Sequence, residues 1–336
     1  MTVTMDQPPA ASPPREPAAP VPPPSAPAPS PQPAPAPPPR PGSAPIRLAL
    51  QVPGIALSIL AAVALGFVVH LTLLSQVQYE RNQQTAYADF RAELARGTAP
   101  VGQTRVEFAD GAEEGTERLV EPGSAVAVLR IPAIGLRTVV FEGTSGEVLQ
   151  QGPGHRRDSV LPGQAGTAVV MGRRASYGGP FRDLDLLLPG DRITVTTGQG
   201  EHEYRVLGLR YPGEPAPAPL AEGKGRMTLV TADGDPFVPR DILRVDAELT
   251  SPTQLAPARK FTAASLPPAE AALATDPAAW TPLMLWSQGL LLATLAITYL
   301  RARWGGWQAW IVGAPVLLAF GLAIADQAAR LLPNLL

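Results

Sequence analysis

The chain of 336 residues has no cysteine. That excludes disulfides, thiolate nucleophiles and cysteine-ligated zinc. It leaves the compartment open, because a protein outside the cytoplasm can do without disulfides. Histidine is scarce: His70, His155 and His202 are the only three, and they show no metal-ligand spacing. No metal and no other cofactor is expected. Excess charge is also lacking, the formal net charge being -2, so there is no electrostatic footprint of a nucleic-acid partner.

What the chain does contain is unevenly spread. Its 41 prolines crowd toward the N-terminus. Residues 1–47 are Pro/Ala-rich and cannot bury a core; they are expected to form a disordered cytoplasmic tail of polyproline II character. A docking site for a proline-binding module is the sharper reading of the same stretch. Residues 52–74 form an apolar run without Asp, Glu, Lys or Arg, long enough to cross a hydrocarbon core of about 30 Å. No small-residue cleavage site follows, so the run reads as a retained signal anchor. His70, near its outer end, reads as an interfacial residue.

Two more apolar runs occupy residues 281–300 and 309–325. Arg301 and Arg303 lie between them, and all five tryptophans cluster around them, as in an aromatic belt. The positive-inside rule gives one topology for all three runs: N-terminus in, central domain out, hairpin back through the membrane. The expected location is therefore the cell membrane, multi-pass, with the central domain extracytoplasmic.

Between the spans, residues 76–118 begin as a juxtamembrane helix. Tyr79, Gln83, Tyr87, Phe90 and Leu94 recur every three or four residues, and Gly97 and Pro100 end the pattern before a linker. Its aromatic stripe is expected to pack on the chain's own domain. Residues 119–250 carry short β-type runs at 125–131, 138–141, 167–171, 192–197, 203–207, 227–231 and 243–249, separated by turns such as Pro189-Gly190-Asp191. Such a pattern predicts an all-β barrel or sandwich, with a short helix at 181–187. Residues 251–280 are Pro/Ala-rich and read as a linker.

Several motifs follow one another in this domain. They are Ile131-Pro132-Ala133-Ile134-Gly135-Leu136, Gly152-Pro153-Gly154-His155, Leu161-Pro162-Gly163-Gln164-Ala165-Gly166, Tyr177-Gly178-Gly179-Pro180-Phe181 and Met227-Thr228-Leu229-Val230-Thr231. Together and in this order they resemble a sortase, the cell-wall transpeptidase of Gram-positive bacteria, most of all the actinobacterial class E branch. The resemblance implies a fold: an all-β, sortase-like closed β-barrel ectodomain with short helices, here joined to three transmembrane α-helices. It also implies a chemistry. A cysteine attacks the Thr–Gly bond of an LPXTG-like sorting signal, a histidine handles protons, and an arginine steadies the oxyanion.

Carried over by position, the cysteine corresponds to Ala232, the histidine to Arg173 and the arginine to Ile242. Alanine has no nucleophilic atom, and arginine stays protonated. Arg240 lies two residues from Ile242, shares its strand face and is a candidate substitute. Thr231 neighbours Ala232 but points to the opposite face, and Thr228 is about 13 Å along the strand. No catalytic residue is expected. Arg173, Arg174, Thr231, Asp233, Arg240 and His155 are the candidates to line a groove. Its arginines would suit an acidic ligand, or would pair with Asp233 and Asp235 and hold the loop shut. Asp233-Gly234-Asp235 reads as a solvated turn where the strand runs out, and His202, at a hairpin, as surface.

The function expected from these residues is that of a pseudoenzyme: a membrane-anchored sortase-like protein without transpeptidase activity. Its partners would be the membrane, a cell-wall precursor or sorting-signal-like peptide, or other envelope proteins that it scaffolds. Two alternatives stay open. One is a cysteine-independent transpeptidase or hydrolase with a rebuilt site. The other is an inert structural ectodomain of a membrane complex.

Overall fold

Runs of Val, Ile and Thr at period two make the strands, because branched side chains suit a pleated, half-buried surface. The computed structural model describes residues 65–107, 116–304 and 306–336. The Pro/Ala-rich tail 1–47 and the first part of the leading apolar run, up to residue 64, lie outside the described residues.

The strands are β1 (Thr104–Glu107), β2 (Thr116–Leu119), β3 (Ala125–Ile131), β4 (Leu136–Glu142), β5 (Gly154–His155), β6 (Gly166–Met171), β7 (Arg192–Thr197), β8 (Gly200–Arg210), β9 (Gly225–Asp235) and β10 (Val238–Leu249). β1 and β2 pair only with each other, and the other eight close a barrel in the order β10-β8-β7-β3-β4-β5-β6-β9. This is the closed barrel that the motifs imply. Inward residues such as Leu129, Val170, Met227, Leu229 and Val245 fill it.

β9 is buried on both faces. Met227 and Leu229 join the barrel interior, while Val230 and Ala232 belong to a second apolar cluster with Met171 of β6. The two clusters follow from alternation of side chains across a strand. An outer apolar face of this kind needs a cover. The strand also runs further than the sequence implies. It continues through Asp235, turns at Pro236 and Phe237, and returns as β10 with Val238 opposite Asp235. Gly234 at φ 104 and a register shift between Pro239 and Asp241 accommodate the tight return.

Four helices are described: α1 (Ser75–Arg96), α2 (Gly146–Gln151), α3 (Trp280–Trp304) and α4 (Gly306–Arg330). A π-turn at His70–Leu74 leads into α1, and Gly97, at φ 72, ends it in the left-handed conformation. α1 lies on the barrel as its aromatic stripe predicts. Phe90 is fully buried, and the Gln83 amide serves an open stretch of β4, donating to the Val139 carbonyl (3.2 Å) and accepting from its N–H (2.6 Å).

α2, capped by the Ser145 hydroxyl, has no counterpart in the sequence reading. The short helix expected at 181–187 is reduced to a 3₁₀ turn at Leu184–Leu186. Two helices, Pro277–Ile297 and Ile311–Arg330, are long and apolar enough to cross a membrane. The expected third span, 52–74, lies largely outside the described residues.

Segment 251–280 is not a free linker. Gln103 holds Phe261 by its backbone N–H (2.8 Å) and carbonyl (3.0 Å). Lys260 pairs with Glu117 at 2.6 Å, and Glu270 binds Thr144 and Arg157. Proline and alanine dominate its composition, but a few spaced polar residues lash it to the barrel.

Candidate functional site

The parallel ladder of β6 and β9 ends at the pair Met171–Val230. Beyond it, on the outer face, lies Ala232, opposite Ile242 of β10. The Ala232 methyl group is buried, 2% exposed. Leu149, Met171, Val230 and Leu335 share its cluster, with Ile242, Ala272 and Leu273 packed against them. Ile242 contributes apolar packing. Thr231 points inward and donates to the Gly172 carbonyl at 2.9 Å.

Arg173 is fully buried beside Leu149 of this floor. Its Nε donates to the Leu149 carbonyl (3.1 Å) and one terminal nitrogen to the Gly146 carbonyl (3.0 Å), so it secures α2. The other terminal nitrogen donates to Ser176 Oγ (3.1 Å), and the guanidinium sits 5.0 Å from the centroid of the Tyr177 ring. Burial lowers its pKa to about 10, against the opposing pull of Tyr177 and Asp326. It remains a cation near neutral pH and shuttles no proton.

Arg174 reaches the site. Its guanidinium donates to the Ala232 carbonyl (3.2 Å) and pairs with Asp185 (3.0 Å). The carbonyl has no strand partner on that side because β6 has ended. Arg240 does not reach it. The register shift beside it turns its side chain to solvent, 74% exposed, where it pairs with Asp235 at 3.4 Å. Of the pairings expected to hold the loop shut, only this one forms; Arg174 uses Asp185, and Arg173 has carbonyl and hydroxyl partners.

His155 lies on the other side of β6, fully enclosed. Its Nδ1 donates to Glu142 (2.8 Å); its Nε2 lies 2.9 Å from the Val160 carbonyl and 3.0 Å from Ser159 Oγ. Serine, histidine and a carboxylate in this order have the spacing of a catalytic relay. The protons are arranged otherwise. A carbonyl only accepts, so Nε2 carries a hydrogen. Ser159 Oγ donates to the Arg156 carbonyl (2.7 Å) and accepts from the Val169 N–H (3.1 Å). Burial alone would depress His155, but Glu142 and the Val160 carbonyl outweigh it and raise its pKa above the ordinary 6.5. The group is a buried histidine–glutamate pair with both ring nitrogens engaged.

Two other histidines depart from their expected places. His202 is buried rather than on the surface, because it is in phase with the inward Tyr204 and Val206 along β8. Its Nε2 lies 3.1 Å from Thr197 Oγ1. His70 is buried against Tyr177, with 3.4 Å between Nε2 and the hydroxyl. Tyr177 also donates to Asp326 of α4 (3.3 Å) and sits at φ 49, a conformation that side chains tolerate poorly.

Sequence reasoning missed the residues that cover Ala232. Leu335 and Leu336, beyond α4, are buried. The N–H of Arg174 donates to the Leu335 carbonyl (3.0 Å), and Ser176 Oγ to that of Leu336 (2.7 Å). Asn334 Nδ2 donates to the carbonyls of Thr144 and Ala271, both at 2.9 Å. The only sequence signal was an apolar pair following a helix terminus.

Comparison with known proteins bears on the barrel. Residues 129–243 match the family model described as the Sortase domain. Sortase D of Bacillus subtilis (strain 168) is 33% identical over 87 residues, covering 26% of this chain and 42% of that protein. Sortase SrtE1 of Streptomyces coelicolor is 33% identical over 96 residues, covering 26% of this chain and 27% of that protein. The chain thus spans less than half the length of either curated relative. Among solved structures, sortase E from Streptomyces avermitilis is 32% identical, with 39% of this chain and 91% of that one covered and a TM-score of 0.34.

Proposed function

We propose, from the premise that the barrel of this chain is a sortase domain, that the protein is a membrane-anchored sortase-fold protein that binds or scaffolds without transferring acyl groups. The observation that carries this reading is Ala232. A buried methyl stands at the nucleophile's position, Thr231 is turned inward, and Arg173 is committed to α2. No group there can form the thioester, and none can exchange the proton.

The membrane part of the proposal rests on α3 and α4. Their lengths and compositions suit a membrane hairpin. Asp276, before α3, pairs with Arg330, at the end of α4, at 2.6 Å, so the two ends lie together beside the barrel. That favours a hairpin with both ends on the barrel's side and with Arg301 and Arg303 on the other.

The test is a transpeptidation assay with a sorting-signal-like peptide and an amine acceptor, using the full chain in detergent micelles. The expected result is no turnover by the natural chain. Turnover that disappears on changing Asp233 or Ser159 would replace this reading with that of a rebuilt enzyme.

A further inference from the structure

The outer face beside Ala232 already has an occupant. Residues 333–336 form a turn, closed by the Leu336 N–H on the Pro333 carbonyl (3.0 Å), against the 174–176 loop, where Arg174 and Ser176 donate to main-chain oxygens of Leu335 and Leu336. The Leu335 side chain enters the apolar cluster over Ala232. Asn334, one residue earlier, reaches two carbonyls of the rim. Main-chain bonds hold this turn, and one apolar side chain in a pocket selects for it.

Two features separate this seat from ordinary core. Asn334 Oδ1 is buried without a hydrogen-bond partner, an omission that disfavours the docked state. And the segment follows the end of α4, where Arg330 pairs with Glu147 of α2 (3.1 Å) and with Asp276 (2.6 Å), and it joins no strand of the barrel. It can lift away while the barrel ladder stays whole.

We propose that this face is a peptide-binding site whose resident ligand, in cis, is the turn 333–336, and that a peptide reproducing that turn, with an amide side chain followed by a leucine-sized one, competes for the seat. Competition by a peptide in trans releases the segment and loosens the Arg330 anchor of the helical hairpin. The inference rests on the reading that the site does no acyl transfer. A tethered ligand acts at an effective concentration on the order of millimolar, so a free peptide binds weakly until the segment is unseated.

The absence of cysteine makes the test direct. In the full chain in nanodiscs, Ala232→Cys supplies a single thiol on the floor of the site, and its rate of maleimide labelling reports the cover. Labelling is expected to be slow with the segment native and at least tenfold faster when Leu335→Asp is added, because a carboxylate is not accepted in the apolar seat. A synthetic Leu-Leu-Pro-Asn-Leu-Leu peptide is expected to restore protection to the double variant; the same peptide with aspartate at its fifth position is not.

Equal labelling with and without Leu335→Asp would overturn the proposal, as would failure of the peptide to protect a double variant that keeps its thermal transition. Protection that grows with protein concentration would move the occupant to a second copy and overturn the assignment in cis. If Leu335→Asp does not fold, Leu335→Ala serves in its place. Failure of the non-catalytic reading would appear separately, as peptide turnover by the natural chain.

Discussion

Arg174 and Leu335 are joined backbone to backbone, the N–H of the first donating to the carbonyl of the second at 3.0 Å. The same arginine sends its guanidinium to the Ala232 carbonyl. One residue thus holds both the end of β9 and the segment lying over it. Hydrogen exchange can read this bond. The Arg174 amide is expected to exchange at least tenfold faster in Leu335→Asp than in the natural chain, with Leu229, inside the barrel ladder, unchanged.

Leucine-to-alanine changes in a rigid core cost about 2–5 kcal/mol. Leu229→Ala, in the barrel interior, is expected to fall in that range. Leu335→Ala is expected to cost less than about 2 kcal/mol of global stability, because the segment lifts away as a unit before the barrel opens. Denaturant unfolding of the two variants side by side checks the difference.

Arg173→Ala removes the donors that hold the Gly146 and Leu149 carbonyls. Buried acceptors left without partners predict a loss of about 3 kcal/mol. Ser145→Ala, which takes away only the N-cap of α2, is expected to cost about 1 kcal/mol. Melting temperatures of the two should rank in that order.

The two buried barrel histidines work in opposite pH windows. His155 is held above its ordinary 6.5, so the folded state binds its proton more tightly than the unfolded one. Its contribution is complete below pH 6.5 and lost as pH rises through the folded value. His202 is lowered by burial, so its contribution is present above 6.5 and lost as pH falls toward the folded value. Against the natural chain, the deficit of His155→Gln should shrink toward alkaline pH, and His202→Gln should flatten the acid side. Thermal melts from pH 5 to pH 9 measure both.

Single cysteines in a chain that has none map its sidedness. Ser265→Cys, before α3, and Arg303→Cys, at the α3–α4 turn, should react with an impermeant maleimide from opposite sides of a sealed vesicle. Labelling of both from one side would rule out the hairpin.

The barrel was legible because its strands are short, branched and in phase, as in 125–131 and 192–197, which the structure reproduces residue for residue. Alternation would also have placed His202 inside, in register with Tyr204 and Val206, had the hairpin not been taken as surface. The placement of Ala232 on the face opposite Thr231 was legible as well. Its cover was not. Leu335 lies about a hundred residues further along the chain, and nothing local in Pro333-Asn334-Leu335-Leu336 says which face it meets. The partners of Arg173 were not legible for a similar reason, since two of them are backbone carbonyls, which every residue has. The bulge that turns Arg240 outward depends on how β10 meets β9.

The Gln83 amide occupies the donor and acceptor of Val139, where β4 has no strand on the side away from β3; β5 pairs only with Phe141 and Glu142. A fragment trimmed to the barrel alone, starting near residue 119, would bare that stretch as a sheet edge, and bare edges recruit other chains. Any soluble version must therefore retain α1 from Ser75 onward, or it will be prone to self-association before its groove can be studied.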